Sequence, residues 1–175
     1  MQELPLFKYN PEALTHGIIK KESITCPVCN ENREYVYDGP FFSEEDVEGI
    51  CPWCIHDGRA AKKYQGEFID SGSVDIVGDD NKLTELTQRT PSYTGWQQEQ
   101  WASHCDDYCA FKGYVGWKEI KPIKDELEDD LDQVLQDFDY DEDELKENLV
   151  NMSGMQGYLF QCLHCGKHRL LVDSN

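Results

Sequence analysis

Apolar and polar positions alternate along this chain at two different periods, and the switches between them divide it into elements. Residues 1–25 open with an extended segment around Pro5 and Pro11. Arg33-Glu-Tyr-Val-Tyr37 has the aromatic and β-branched content of a strand, and Asp38-Gly39-Pro40 turns the chain after it. The acidic residues 43–49 fit one helical turn. Ile55 to Tyr64 reads as a short helix with Ala60, Ala61 and Tyr64 inward. Residues 66–82, rich in Gly, Asp and Ser, read as a connection. Asn81 to Thr90 puts Leu83 and Leu86 on one helical face, and Pro91 closes it. Thr94 with Gln97 three residues later reads as a capping box. The helix it opens carries Trp96, Trp101 and Ala102 and runs into His104 and Cys105.

Helical spacing is clearest in residues 124–150. Leu127, Leu131, Val134, Leu135 and Phe138 recur on one face with acidic residues between them, and Leu145, Leu149 and Val150 fall in a second helix. The segment predicts an acidic helical hairpin with one buried stripe, inserted at about 120–152. From Tyr158 to Asp173 the pattern alternates around Cys162-Leu-His-Cys165, as in a β-hairpin with cysteines at its tip. The expected class is α+β: zinc-ribbon-like hairpins and short helices around two metal sites, with the acidic hairpin inserted. The expected division is an N-terminal region, 1–75, and a C-terminal region, 76–175, or one compact unit of both.

Of 175 residues, 39% are apolar and 29% charged. That thin apolar supply leaves the core in need of support, for which 9 Tyr, 7 Phe, 4 Trp and 8 Cys are the candidates. The first residues, MQELPLFKYNPEALTHG, carry no basic and apolar leader. No apolar run approaches the roughly 18 residues of a membrane helix. The expectation is a cytoplasmic protein, where thiols stay reduced and paired cysteines are metal ligands or redox groups before they are disulfides. The net charge of -19 disfavours nucleic acid and anionic membranes and favours a basic protein partner. In its plainest role, that charge keeps the protein soluble.

All eight cysteines fall in four close pairs, Cys26/Cys29, Cys51/Cys54, Cys105/Cys109 and Cys162/Cys165. A C-x2-C step lets two thiolates hold one ion while the backbone turns beneath it, and two such steps complete the tetrahedron that zinc accepts. Cys26, Cys29, Cys51 and Cys54 give C-x2-C-x21-C-x2-C, close to the usual zinc spacing. Asn30 and Gly166 follow the two knuckles and tolerate the positive φ such turns require. The second expected site is Cys105, Cys109, Cys162 and Cys165, with the acidic hairpin between its halves. There His104, Asp107, His164 or His168 could replace one thiolate. Cys51-Pro-Trp-Cys54 also has the form of a redox motif, but the acidic residues before it do not make the buried strand of a βαβ unit. Four thiolates suit an iron–sulfur cluster too, although knuckles flanked by strands favour zinc.

These residues resemble a family. The matching runs are Leu4-Pro-Leu-Phe-Lys-Tyr9, Cys26-Pro-Val-Cys29, Tyr35-Val-Tyr37-Asp-Gly-Pro40, Cys51-Pro-Trp-Cys-Ile55, Asp57-Gly58, Arg89-Thr-Pro91, Trp96-Gln-Gln-Glu-Gln-Trp101, His104-Cys105, Asp107, Cys109-Ala-Phe111, Gly113-Tyr-Val-Gly116 and Cys162-Leu-His-Cys-Gly166. Together they are similar to the CbrC-like family of bacterial proteins, labelled a colicin tolerance family, and cover nearly the whole chain outside the acidic hairpin. The chain departs from that pattern at Asn10, where His is expected, and at Asn30 and Glu34, where Gly is expected. The resemblance implies a bacterial cytosolic protein and brings no established catalytic residues to carry over.

Two function classes follow. One is a binding, adaptor or stress-tolerance protein with two structural zinc ions. The other is a metal-dependent hydrolase built on His104 and Asp107, beside Trp96, Trp101 and Asp106. A four-thiolate site has no open coordination position, which favours the first, with the tryptophans in the core. Asp137, Asp139, Asp141 and Asp143 suggest a calcium loop, but the Gly and Glu such a loop needs are absent from either register, and they read as a solvated helix boundary. No phosphate-binding glycine loop, nucleophile elbow or basic aromatic patch is present.

Overall fold

The protein is described by a computed structural model over residues 3–175. It is a mixed α+β chain of small hairpin sheets and short helices. It forms two compact units, the first running to Thr94 and the second from Gly95 to Asn175.

In the first unit, β1 (Ile19–Lys20) pairs antiparallel with β4 (Val36–Tyr37), and β2 (Ile24–Thr25) with β3 (Asn32–Arg33). The two ladders are concentric, so together they make one interrupted hairpin whose tip is Cys26 to Asn30. The run expected to be one strand from Arg33 to Tyr37 is thus broken at Glu34-Tyr35. The helix expected from Ile55 to Tyr64 is two, α1 (Pro52–His56) and α2 (Arg59–Tyr64). They are separated at Gly58, whose φ of 74° stops the first. The acidic run 43–49 forms no helix. The connection expected over 66–82 ends at residue 79 and includes one 3-10 turn at Ser71–Ser73.

Helix α3 (Asp80–Arg89) starts where the Asp79 carboxylate accepts from Asn81 N. It belongs to the first unit, whose boundary therefore lies beyond the expected residue 75. Phe68 N donates to Thr87 O at 2.7 Å, Arg89 Nε to His56 O at 2.7 Å, and Asn10 Nδ2 to Pro91 O at 2.9 Å. The core mixes aliphatic side chains such as Ile19, Ile50, Ile55, Ile69 and Leu86 with aromatic rings. Tyr9, Phe68 and Tyr93 are buried, and the rings of Tyr37 and Phe68 meet edge to face at 5.3 Å.

The second unit starts with a loop, not the helix expected from Thr94. Trp96 N and Gln97 N, donors such a helix would leave free, both donate to Asp173 Oδ2 at 3.0 Å. Strands β5 (Ser103–His104) and β6 (Asp107–Tyr108) form a tight hairpin. Then β7 (Ala110–Val115), β8 (Met155–Gln161) and β9 (His168–Ser174) form an antiparallel sheet in that order. Trp101 packs between Phe111 and Phe160, with centroids at 6.3 and 5.3 Å. Trp96, expected in the core, is exposed instead.

The acidic helical hairpin lies between β7 and β8 as α4 (Trp117–Ile120), a 3-10 segment (Lys121–Leu127), α5 (Glu128–Phe138) and α6 (Glu142–Asn148). Leu127, Val134, Leu145 and Leu149 are buried against Val115, Met155 and Leu170 of the sheet. The acidic run is a helix boundary. Asp139 caps α5 with φ 54°, and Asp141 accepts from Asp143 N and Glu144 N while Glu144 bonds back to Asp141 N. Arg169 on β9 forks onto Asp130 of α5 and pins the insertion to the sheet.

Gly116 fixes the entry into the insertion. A Cβ there would stand 2.4 Å from Asn151 N and 3.0 Å from Leu149 O, both backbone. Gly116→Ala is expected to destabilise the second unit by about 3 kcal/mol, as overpacking against rigid neighbours does. Denaturant melts compared with the unsubstituted chain would read this, and an unchanged midpoint would show that the backbone yields.

Candidate metal centres

Two groups of four donor atoms converge, one in each unit. In the first unit the sulfurs of Cys26, Cys29, Cys51 and Cys54 lie within 4.8 Å of one another. Those of Cys26 and Cys54 are 3.9 Å apart. In the second unit the group is His104, Cys105, Cys162 and Cys165, with the same spread.

Each group contains one knuckle, and the two knuckles are built alike. Cys26 N donates to Glu31 O and Cys162 N to Lys167 O, at 3.0 and 2.9 Å. Asn30 N returns to Cys26 O at 2.8 Å, and Gly166 N to Cys162 O at 3.1 Å. Asn30 and Gly166 adopt φ of 59° and 75°, as their residue types allow. In each knuckle the backbone N–H groups two and three residues on point at the first sulfur, from Val28 and Cys29 to Cys26 and from His164 and Cys165 to Cys162. Donors aimed at sulfur favour the thiolate, the form that binds metal.

The second half of each group differs. Cys51 and Cys54 sit on the first turn of α1, where Pro52 occupies a position whose N–H has no helical partner. Cys51 N adds a third donor to Cys26 Sγ, at 3.4 Å. Cys105 instead sits with Asp106 in the two-residue turn between β5 and β6. Both residues have positive φ, 53° and 55°, which is the turn that matches strand twist. This turn brings Cys105 Sγ to 3.2 Å from His104 Nδ1, and Cys165 Sγ lies 3.4 Å from the same nitrogen.

Cys109, expected at the fourth corner of the second group, lies outside it. The spacing reads as a pair only if the chain between the cysteines is a helix end. Here it is a hairpin, and Cys109 follows the second strand into the core. It is fully buried, its N–H donates to Ala102 O, and its carbonyl accepts from Trp101 Nε1, both at 2.9 Å. Burial pushes its thiol up to about 12. His104, one of the four substitutes considered, takes the corner. Asp107 is buried and turned elsewhere, with Oδ2 at 3.0 Å from His164 Nε2 and Oδ1 accepting from Tyr108 N. His168 pairs with Glu126 at 2.8 Å.

The donor chemistry fits a soft or borderline dication. In the first group the Cys51 thiol hydrogen-bonds Cys26 and draws it far below the ordinary thiol range. Cys51 is pushed up by that same bond and by burial, and Cys54 is pushed to about 12 chiefly by burial. Four thiols packed this close cannot all ionise without a cation among them. Basic groups that sequence reasoning does not single out stand around this site. Arg33 hydrogen-bonds Cys29, Lys63 Nζ donates to Pro27 O at 2.6 Å, and Arg59 lies near Cys54. They offset the excess charge that four thiolates leave on a divalent ion. In the second group burial raises Cys162, but the N–H donors and its neighbours outweigh it and bring the thiol to about 6. Cys105 is pushed to about 11, chiefly by its bond with Cys165. The groups differ in access: Cys26, Cys51 and Cys54 are buried, whereas Cys105 and Cys165 are exposed.

Among the described residues no helix is long and apolar enough to cross a membrane. No solved structure matches the chain. A UPF0167 protein of Pseudomonas aeruginosa is 40% identical over 183 residues, covering 97% of this chain and 97% of that protein. UPF0167 proteins of Mycobacterium bovis and Mycobacterium tuberculosis are each 39% identical over 178 residues, covering 98% of this chain and 94% of theirs. Residues 4–174 match the uncharacterised protein family UPF0167, and the chain belongs to that family.

Proposed function

We propose that this protein carries two structural zinc ions, one in each unit, and acts in the bacterial cytoplasm by binding a partner. The reading rests on two convergent four-donor groups, each closed by protein atoms. Four donors fill the tetrahedron of zinc and leave no position for a reacting water. Four thiolates, or three thiolates with one imidazole, are common zinc donor sets, and the histidine of the second group disfavours an iron–sulfur cluster. Cys26, Cys29, Cys51 and Cys54 would hold one ion, and His104, Cys105, Cys162 and Cys165 the other. Bound zinc supplies folding free energy and orients the loops that ligate it. The binding reading is favoured over the hydrolase because His104 falls within the closed donor group and Asp107 pairs with His164. The colicin tolerance suggested by the sequence resemblance fits a protein that sequesters or shields by contact.

Elemental analysis of purified protein is expected to give two zinc and no iron per chain. A folded protein with neither metal would sink the proposal.

A further inference from the structure

The helical insertion leaves part of its own core uncovered. Leu127 and Val134 of the predicted stripe are buried, but Leu131 and Leu135 are only half-buried, as is Trp117. These three, over buried Leu145, floor an open groove of about 260 Å³. Asp125, Glu128 and Asp132 stand exposed on its rim with Glu142, and one cation, Lys124, stands among them.

We propose that this groove docks a short amphipathic basic helix of another protein, with an apolar side chain on the floor and Lys or Arg on the rim. The volume lies below the roughly 300–1,000 Å³ of small-molecule sites and suits one anchoring side chain. An apolar face laid in a groove is an established mode of peptide recognition. The charge gives the partner's sign: Asp125, Glu128 and Asp132 outnumber Lys124 on the rim, while Glu142 pairs with Lys146, in a chain whose net charge is -19. At one edge the groove already holds an ammonium of this chain. Lys146 Nζ lies 5.7 Å from the centroid of Trp117, with Glu142 and Asp143 each at 3.0 Å. The inference deepens the binding-protein reading and uses neither metal.

The test titrates the full chain into a labelled helical peptide of leucine and lysine, leucines along one face, and follows anisotropy. Saturable binding that weakens with salt is expected. The triple variant Asp125→Asn, Glu128→Gln, Asp132→Asn is expected to lose about tenfold in affinity. Asp137→Asn, Asp139→Asn and Glu147→Gln remove as much charge away from the groove and are expected to leave affinity within about twofold. Equal losses in both variants, equally tight binding of a lysine-only peptide, or no saturable binding would each overturn the docking site. Zinc content and circular dichroism of every sample separate the two proposals. Zinc-loaded protein that ignores the peptide removes the groove alone, and zinc-free folded protein that binds it removes the structural zinc alone.

Discussion

Cys26→Ala is expected to unfold the first unit and release one of two zinc ions. Structural zinc contributes about 10–16 kcal/mol to small zinc domains, as much as the roughly 5–15 kcal/mol that stabilises a whole domain. The remaining core cannot offset that loss. Cys26, Cys51 and Cys54 are fully buried, and buried Ile50 and Ile55 flank the second pair in the chain. Removing one donor also strands three thiols whose ionisation the ion would have supported. The measurements are zinc stoichiometry, thermal melting and limited proteolysis. Fragments of residues 95–175 should survive while 1–94 is digested. A variant that keeps both zinc ions and its melting temperature would show that these sulfurs bind no metal.

The second large effect separates His104 from Cys109. His104→Ala is expected to lower zinc from two to one, and Cys109→Ala to leave it at two. The cost of Cys109→Ala is a small cavity beside Trp101, about 1–2 kcal/mol. His104→Cys, which restores a fourth donor type common in zinc sites, should recover part of the lost metal. If Cys109→Ala empties the site and His104→Ala does not, the cysteine is the ligand and the hairpin rearranges when metal binds.

Local chemistry makes much of this architecture legible. The knuckles are visible in C-x2-C followed by Asn30 or Gly166, because the turn needs both the sulfurs and the positive φ within five residues. The β8–β9 hairpin and the stripe of α5 follow from periods of 2 and 3.6. Where pattern and structure part, long-range bonds overrule a local signal. Thr94 and Gln97 make a plausible cap, yet Asp173, remote in sequence, satisfies the donors that a helix start would expose. The fourth donor of the second group eludes spacing for a related reason. Spacing alone pairs Cys105 with Cys109, whereas the two-residue turn at Cys105-Asp106 presents one cysteine outward and lets the strand carry the other inward. Ser103-His104 and Asp107-Tyr108 flanking that turn hold the signal, but alternation this short is rarely decisive. The groove on the insertion is beyond sequence, since half-burial of Leu131 depends on what the rest of the fold fails to cover.

The way the two donor groups are threaded has a consequence during synthesis. Every sulfur of the first lies between Cys26 and Cys54, so it is complete once the early part of the chain has left the ribosome. The second begins at His104 and closes only with Cys165, after the whole insertion has been made. At about 5–20 residues per second, roughly 5–20 seconds of translation separate the two completions. For the last 60 residues of that interval, roughly 3–12 seconds at the same rate, His104 and Cys105 are on the nascent chain without Cys162 and Cys165, open to oxidants and to stray metal. The donors of the first group can meet while most of the chain is still unmade; those of the second must wait for the acidic insertion to pass.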